Sequence, residues 1–570
     1  MTSSFASPSK HFKNGVKNET NKILSHNFFD DIFCVISIVA EGMKIGYIKE
    51  IIRNPIYREG ILNAFAVAFV CVVLVSIIAI PLALLHNSFD FIGKNFISPL
   101  LLLPIILPPF VGALGYLQIF GRFGVLNSFL CNLGIFDFVS CPDWLGGRGR
   151  FFAVCFVEAM HLYPIMYLNV LASLGNLDPS LDEAARNIGC GSVKRFFRIT
   201  FPLIRPGFFA GASIVFIWSF TELGTPLMLG FNRISAVQIF NGITELETNP
   251  LPYALVVVLL FVSCGLYALS RFAFGGNTDM LAVKGMQGTQ SKQVKGITAF
   301  IVLLPFLIVL VFAALPHLGI ILLSVSEDWH CSVLPKSYTF EHFQNALAHP
   351  LVVPAIMNSL RFSSLAMFLA LITGIILALM TIRWKSFAWQ IFDILGMLPL
   401  AVPGIVLAFG YLSMSTKHEF LRSTMDPIRN PTILLVIAYT MRRLPYVLRS
   451  VVAGLQQTPP DLEYAALNLG ACNRSVFFRI TLPLLMPNIV IGALFAFSFS
   501  MLEVSDSLVL AQKIEFFPIT RAIFELSQLL GSGPYLACAF GVWTMVFFAV
   551  TLFIASAITG NWLKVGIFRL

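Results

Sequence analysis

Runs of twenty or more consecutive apolar residues recur along this chain, and they limit its fold more than any other feature. Residues 61–84, ILNAFAVAFVCVVLVSIIAIPLAL, carry no charge at all. About 20 helical residues cross the hydrocarbon of a bilayer. Lipid offers no hydrogen bonds, so only helices and closed barrels satisfy the backbone there. The runs are continuous rather than alternating, which selects helices. Spans are expected near 61–84, 97–120, 151–173, 207–230, 252–273, 297–324, 357–381, 389–413, 431–451, 488–511 and 535–558. The fold class is therefore all-α, a polytopic membrane protein with about 11 or 12 transmembrane helices. Only 12% of the 570 residues are charged, against about 25% in a soluble domain, which makes lipid the solvent.

The chain repeats itself. Leu103, Pro104, Pro108, Gly115, Tyr116 and Leu117 match Leu398, Pro399, Pro403, Gly410, Tyr411 and Leu412 at an offset of 295. Asn54-Pro55 and Asn63 match His349-Pro350 and Asn358 at the same offset. Further on, Pro164, Ala172, Pro179, Gly189, Ile199, Pro202 and Glu222 match Pro445, Ala453, Pro460, Gly470, Ile480, Pro483 and Glu503 at an offset of 281. The first half therefore carries about 14 extra residues, assigned to the polar loop 121–150 that holds Cys131 and Cys141. Lipid-facing helices do not need matched Pro, Gly and Glu positions. Two tandem copies imply a pseudo-symmetric bundle with a pathway between them.

The most specific motif lies in the two long charged connections. The first reads Asp182-Glu183-Ala184-Ala185, three residues, Gly189, nine residues, Ile199-Thr200-Phe201-Pro202. The second reads Glu463-Tyr464-Ala465-Ala466, three residues, Gly470, nine residues, Ile480-Thr481-Leu482-Pro483. Carboxylates in a first helical turn favour the helix dipole. Gly189 and Gly470 can take a positive φ for a sharp turn. A second helix is expected to run through Phe196-Phe197-Arg198 or Phe477-Phe478-Arg479 until a proline breaks it. Such an elbow suits a hydrophobic groove on another protein, although an interfacial helix lying on lipid headgroups would look similar.

These two segments resemble the EAA loop of binding-protein-dependent ABC importer permeases, and the resemblance covers nearly the whole chain from about residue 45. Phe201 stands where the motif has Leu, and Tyr464 where it has Glu, with the second copy's acid one place earlier at Glu463. The resemblance implies a translocation subunit with two type I permease repeats at 61–275 and 297–570, a linker at 276–296 and a polar or amphipathic segment at 1–60. It implies partner ATP-binding cassette ATPase subunits, as a dimer, docked on both loops. It also implies a periplasmic or extracellular substrate-binding protein, and a place in the bacterial inner membrane. The two fused halves, with the stretches 107–127, 222–231 and 441–455, resemble ferric-iron importers; thiamine and 2-aminoethylphosphonate permeases share the layout. A secondary transporter driven by an ion gradient would also show repeats and intramembrane carboxylates.

The family puts these loops in the cytoplasm. Arg186, Lys194, Arg195, Arg198 and Arg205 agree with that side, as do Lys284, Lys292, Lys295, Arg383 and Lys385. Loops on the other side carry Glu245, Glu247, Glu327, Asp328 and Glu341. The first half offers five clear spans and the second six. Residues 28–48 contain Asp30, Asp31, Glu41 and Lys44 and make a poor span, so a first helix is either absent or replaced by this weak segment. The lysines at 10, 13, 17 and 22 precede no uninterrupted apolar core of the signal-peptide kind.

Four polar residues within spans stand out. Glu222 and Glu503 each follow an EAA loop by about one helix, and His161 and Arg442 correspond on the preceding spans, with Glu158 and Arg443 beside them. Carboxylates in hydrocarbon face a cavity or a partner. The four either line the outer part of the pathway or lock helices together as ion pairs. The Pro-Gly clusters at 104–115 and 399–410 suggest breaks or kinks that either border a cavity, as a gate or pore lining, or serve packing alone.

Other functions find no support. The net charge of +9 is spread over short loops without a basic stripe interleaved with aromatics, so no nucleic-acid partner is expected. No GxxxxGK[ST] is present, and GGRGR at 146–150 lacks the Lys-Ser/Thr, so the chain has no ATPase motif and no catalytic residues are assigned. Ten cysteines include no CxxC and no zinc spacing, so no metal site or cofactor is expected. Cys71, Cys155, Cys264 and Cys538 lie in apolar runs, as small core residues do. Cys131 and Cys141 are candidates for a disulfide if their loop faces an oxidising compartment.

Overall fold

A computed structural model describes residues 45–137, 140–175, 177, 179–245, 249–274, 292–384, 396–400, 402–417 and 425–559. Among them, eight helices are long and apolar enough to cross a membrane: Pro55–Ser88, Pro109–Asn132, Arg150–Gly175, Ser192–Met228, Ile297–Ser324, Val352–Arg383, Asn473–Met501 and Gly533–Thr551. Shorter apolar helices at Leu251–Leu266 and Gly404–Ser415 fall in two further expected spans. The expected span 431–451 is the helix Thr432–Gln457, which carries Arg442, Arg443 and Arg449 and is correspondingly less apolar. Most of the weak segment 28–48 lies outside the described residues, and its end belongs to the helix Ile45–Arg53. The linker is described only from residue 292, where Lys292 and Gln293 pair in parallel with Phe89 and Asp90.

Four expected spans are not continuous helices among the described residues; in 389–413 a 3-10 turn at Leu398–Leu400 precedes the helix Gly404–Lys417. The span 97–120 is Lys94–Leu100, a short 3-10 turn at Leu103–Ile106, and then Pro109–Phe120. Pro104, Pro108 and Pro109 lack the N–H groups that would carry one helix through. The span 207–230 stops at Phe220 and resumes as Gly224–Met228. Its counterpart stops at Met501 and resumes as Ser505–Leu510. Glu222 and Glu503 sit in these two gaps rather than on helix walls.

The halves interlock. Ile297–Ser324 follows the expected linker, yet its Val302, Phe306 and Ala313 share a core with Cys71, Val75, Tyr163 and Val170. Where this helix crosses Pro109–Phe120, the backbones nearly touch. A methyl group on Gly115 would collide with the backbone of Pro316, and one on Gly319 with the backbone of Gly115. The Tyr116 hydroxyl donates to the Phe312 carbonyl at 3.0 Å beside the crossing. Gly115 therefore serves close packing, one of the two roles expected of it.

Gly115→Ala is expected to cost about 1–3 kcal/mol, because the backbone has no rotamer by which to move aside. Around Gly265, on the helix Leu251–Phe274, no atom of the described residues lies within 4 Å of an added methyl. Gly265→Ala is expected to be neutral or to add up to about 1 kcal/mol through helix propensity. Thermal unfolding of the two variants in detergent checks the opposite signs.

Candidate functional site: two elbows and a buried ion-pair cluster

Each charged connection folds as a helix, a glycine turn and a second helix. The first helices are Pro179–Asn187, which carries Asp182, Glu183, Ala184 and Ala185, and Asp461–Asn468, which carries Glu463, Ala465 and Ala466. Both end alike. Gly189 takes φ 75° and Gly470 φ 88°. The Cys190 N–H then donates to the Ala185 carbonyl at 3.0 Å, and the Ala471 N–H to that of Ala466 at 3.1 Å. This six-to-one bond with a left-handed residue before it is a Schellman ending, and glycine meets it without Cβ strain. The motif's glycine thus marks where the first helix must stop, and Ala185 is small enough to lie buried at the bend.

The second helices do not break at proline, contrary to expectation. Ser192–Arg195 continues through a π turn at Phe196–Thr200 into Phe201–Phe220, and Asn473–Val476 does the same through Phe477–Thr481 into Leu482–Met501. The Phe201 N–H reaches back to the Phe196 carbonyl and that of Leu482 to Phe477. In regular α geometry Pro202 and Pro483 would press on the carbonyls four residues back. The wider turn relieves the clash, as local π adjustments do in membrane helices. Ile199 and Ile480 lie inside these turns. Each elbow is thereby continuous with a membrane span.

Matching apolar side chains stay exposed on the two elbows. Leu181 pairs with Leu462, Ile188 with Leu469 and Phe197 with Phe478 at the 281 offset. Ile188 and Leu469 are 85% and 89% exposed, more than burial against this chain would leave.

Glu463 has a second role. Its Oε1 receives Arg383 Nη2 at 3.0 Å, Arg383 Nε at 3.3 Å and the Thr481 hydroxyl at 3.1 Å. Arg383 also donates to the Thr458 carbonyl at 3.3 Å. This brace ties the elbow to the end of Val352–Trp384, 80 residues away in sequence. Both side chains are mostly shielded, so a double-mutant cycle between Arg383→Ala and Glu463→Ala is expected to return about 1–3 kcal/mol of coupling.

Among the described residues, the structure brings three acids and two arginines to the paired helix breaks. Glu503 Oε1 lies 3.2 Å from Arg442 Nη1, and Glu503 Oε2 accepts from Arg443 Nη2. Arg443 also donates to the Phe499 carbonyl at 2.7 Å. Asp506 Oδ1 lies 3.7 Å from Arg442 Nη1. Arg442 occupies the space over Gly404, where a side chain would overlap its guanidinium. The breaks of the two halves face each other: a Cβ on Gly224 would come within 3.3 Å of Val504 Cγ1. Across this seam Glu222 caps its own short helix, Oε1 accepting from the Gly224 N–H at 3.1 Å, and interacts electrostatically with Arg442.

The equivalent first-half positions are different. His161 and Leu162 replace Arg442 and Arg443, and Thr225 replaces Asp506. His161 bonds the Pro104 carbonyl and lies near His317, apart from the carboxylates. Glu158 is buried and accepts from the Ser219 hydroxyl. The halves share a backbone plan while the cations belong to the second half. Sequence reasoning missed Asp506, whose Asp-Ser after Glu503 was the available sign of a helix start.

Two helix-glycine-helix elbows, each continuous with a membrane span, and a meeting of paired helix breaks define a two-fold, multi-pass membrane bundle. The chain belongs to the family of binding-protein-dependent transport system inner membrane components, which it matches over residues 75–278 and 370–558. It is 26% identical to the ferric transport system permease protein FbpB of Actinobacillus pleuropneumoniae over 81% of this chain. That match spans 64% of the relative, just under two thirds of its length. The Fe(3+)-transport system permease protein FbpB 2 of Haemophilus influenzae is 23% identical over 87% of this chain and 91% of its own. The molybdenum transport system permease protein ModB of Escherichia coli is 28% identical over 37% of this chain and 92% of its own.

Proposed function

We propose that this chain forms the translocation pathway of an ATP-driven importer, with repeats at 61–275 and 297–570, and takes ferric iron as substrate from an external binding protein. The duplicated elbow carries the reading. Two equivalent sets of exposed apolar residues suit two equivalent grooves, as a dimer of ATPase subunits would offer. Asp182, Glu183, Ala184, Ala185, Gly189, Ile199, Pro202, Glu463, Ala465, Ala466, Gly470, Ile480, Leu482 and Pro483 form the coupling loops. Hydrolysis belongs to the partner, and closure of its subunits biases the permease between inward-open and outward-open states. The continuous helix from each elbow into a span supports direct transmission of that movement.

Glu222, Glu503 and Arg442 border the outer part of the pathway at the seam between halves, with His161 beside the first half's broken helix. Iron as substrate rests on the names of the two iron-permease relatives. Uptake by proteoliposomes containing the chain, its ATPase and its binding protein tests the proposal. Radiolabelled ferric iron should enter only with internal ATP. It should continue when an ionophore collapses the ion gradients, and it should outpace thiamine and 2-aminoethylphosphonate. Entry that stops with the gradient and ignores ATP would establish the ion-coupled alternative.

A further inference from the structure

The first half's insertion holds two thiols at contact distance. Cys131 Sγ lies 3.1 Å from Cys141 Sγ. A disulfide bond is about 2.05 Å long, so the sulfurs need to approach by only about 1 Å to bond. Their surroundings hold them there. Cys131 is the penultimate residue of the helix Val125–Asn132, and Cys141 precedes Pro142. A single buried asparagine clamps both limbs: Asn127 Nδ2 donates to the Arg122 carbonyl at 2.9 Å and the Pro142 carbonyl at 2.8 Å. Its Oδ1 accepts from Trp144 Nε1 at 2.7 Å. The turn after the helix is fixed by Gly134 at φ 74° and the Ile135 N–H donating to the Leu130 carbonyl at 3.0 Å. Neither cysteine has a counterpart in the second half, which lacks the insertion.

We propose that Cys131 and Cys141 form a structural disulfide on the extracytoplasmic face, stapling the loop that distinguishes the first half. The compartment rests on the orientation proposed above, because Arg150–Gly175 runs from this loop to the cytosolic elbow. Each thiol gives up one proton and one electron, and the S–S bond forms. The disulfide of an extracytoplasmic thiol oxidase accepts the two electrons and two protons and becomes a dithiol. The closed ring restricts the unfolded loop and keeps the insertion in one shape before a binding protein arrives. The staple also borders the seam between halves, since the Cys331 N–H of the second half donates to the Phe123 carbonyl of the first at 3.2 Å.

Differential alkylation of the full chain tests the proposal. Cells are quenched in acid, the protein is denatured, and free thiols are blocked with one maleimide. Reduction then exposes the oxidised ones to a second, isotopically heavy maleimide. The peptides of Cys131 and Cys141 are expected to carry the heavy label and those of Cys331 and Cys472 the light one. In Cys141→Ser, Cys131 should switch to the light label. Light label on both Cys131 and Cys141 in the unaltered protein would overturn the staple.

A second arm separates failure of the orientation. A membrane-impermeant maleimide on right-side-out vesicles is expected to reach exposed Cys331 and leave exposed Cys472 untouched. The reverse pattern would overturn both the orientation and the compartment on which the disulfide depends.

Discussion

Replacing Glu503 by alanine is expected to destabilise the folded protein by about 3–5 kcal/mol and to deplete it from the membrane fraction. The carboxylate is 4% exposed and holds both Arg442 and Arg443. Without it Arg443 loses this carboxylate and keeps the Phe499 carbonyl and a ring 5.8 Å away. A guanidinium left in the interior without its counter-ion is what makes a broken buried pair costly. The double variant E503L/R443L removes that pair and leaves Arg442 with Asp506 at 3.7 Å, so it is expected to recover part of the lost protein. Glu222→Gln is expected to behave differently. Its carboxylate caps a short helix through Gly224, and among the described residues no arginine lies at hydrogen-bond distance from it. The amide oxygen can still accept that bond, so folded protein should persist while uptake falls. Membrane yield and thermal unfolding of the three variants, read beside uptake, check the contrast.

The second large effect is expected at the elbow glycines. Gly189 and Gly470 lie at φ 75° and 88°. A residue with a Cβ costs about 1–2 kcal/mol in that region. The double variant G189V/G470V therefore carries about 2–4 kcal/mol of strain if the elbows keep their shape. Among the described residues nothing lies within 4 Å of an added Cβ at either position, so the spans should fold as before. If the strain is relieved by unbending the elbows, docking of the ATPase should weaken at least ~30-fold. ATP-driven uptake should fall with it while helical content and unfolding temperature stay within error. Loss of the folded protein would instead place the glycines in the stability of the bundle.

How far the sequence could be read depended on the range of the interaction. Hydropathy located the helices because burial in lipid is decided residue by residue. The Gly189 and Gly470 turns were legible for the same reason: a helix stop is a local event. Where proline was concerned, the local rule misled. Pro202 and Pro483 read as helix stops, but a π turn absorbs them and the elbow runs on into the span. The breaks at Thr221–Leu223 and Leu502–Val504 were hidden inside apolar runs, although Gly224 and Pro226 follow directly. The Arg383–Glu463 brace joins residues 80 apart, and the Gly115–Pro316 crossing joins the two halves. No periodicity encodes either contact. Matching the repeats pairs His161 with Arg442 by position, yet position could not show that Arg442 reaches a carboxylate.

The central claim is that both elbows carry an ATPase dimer. Its most direct measurement is the amount of ATPase subunit retained by the purified chain when residues 179–191, residues 460–472, or both are replaced by Gly-Ser segments of equal length. Each single replacement should reduce the retained ATPase, and the double replacement should abolish it, with the membrane spans still folded. Full retention of the ATPase by the doubly replaced chain would contradict the account.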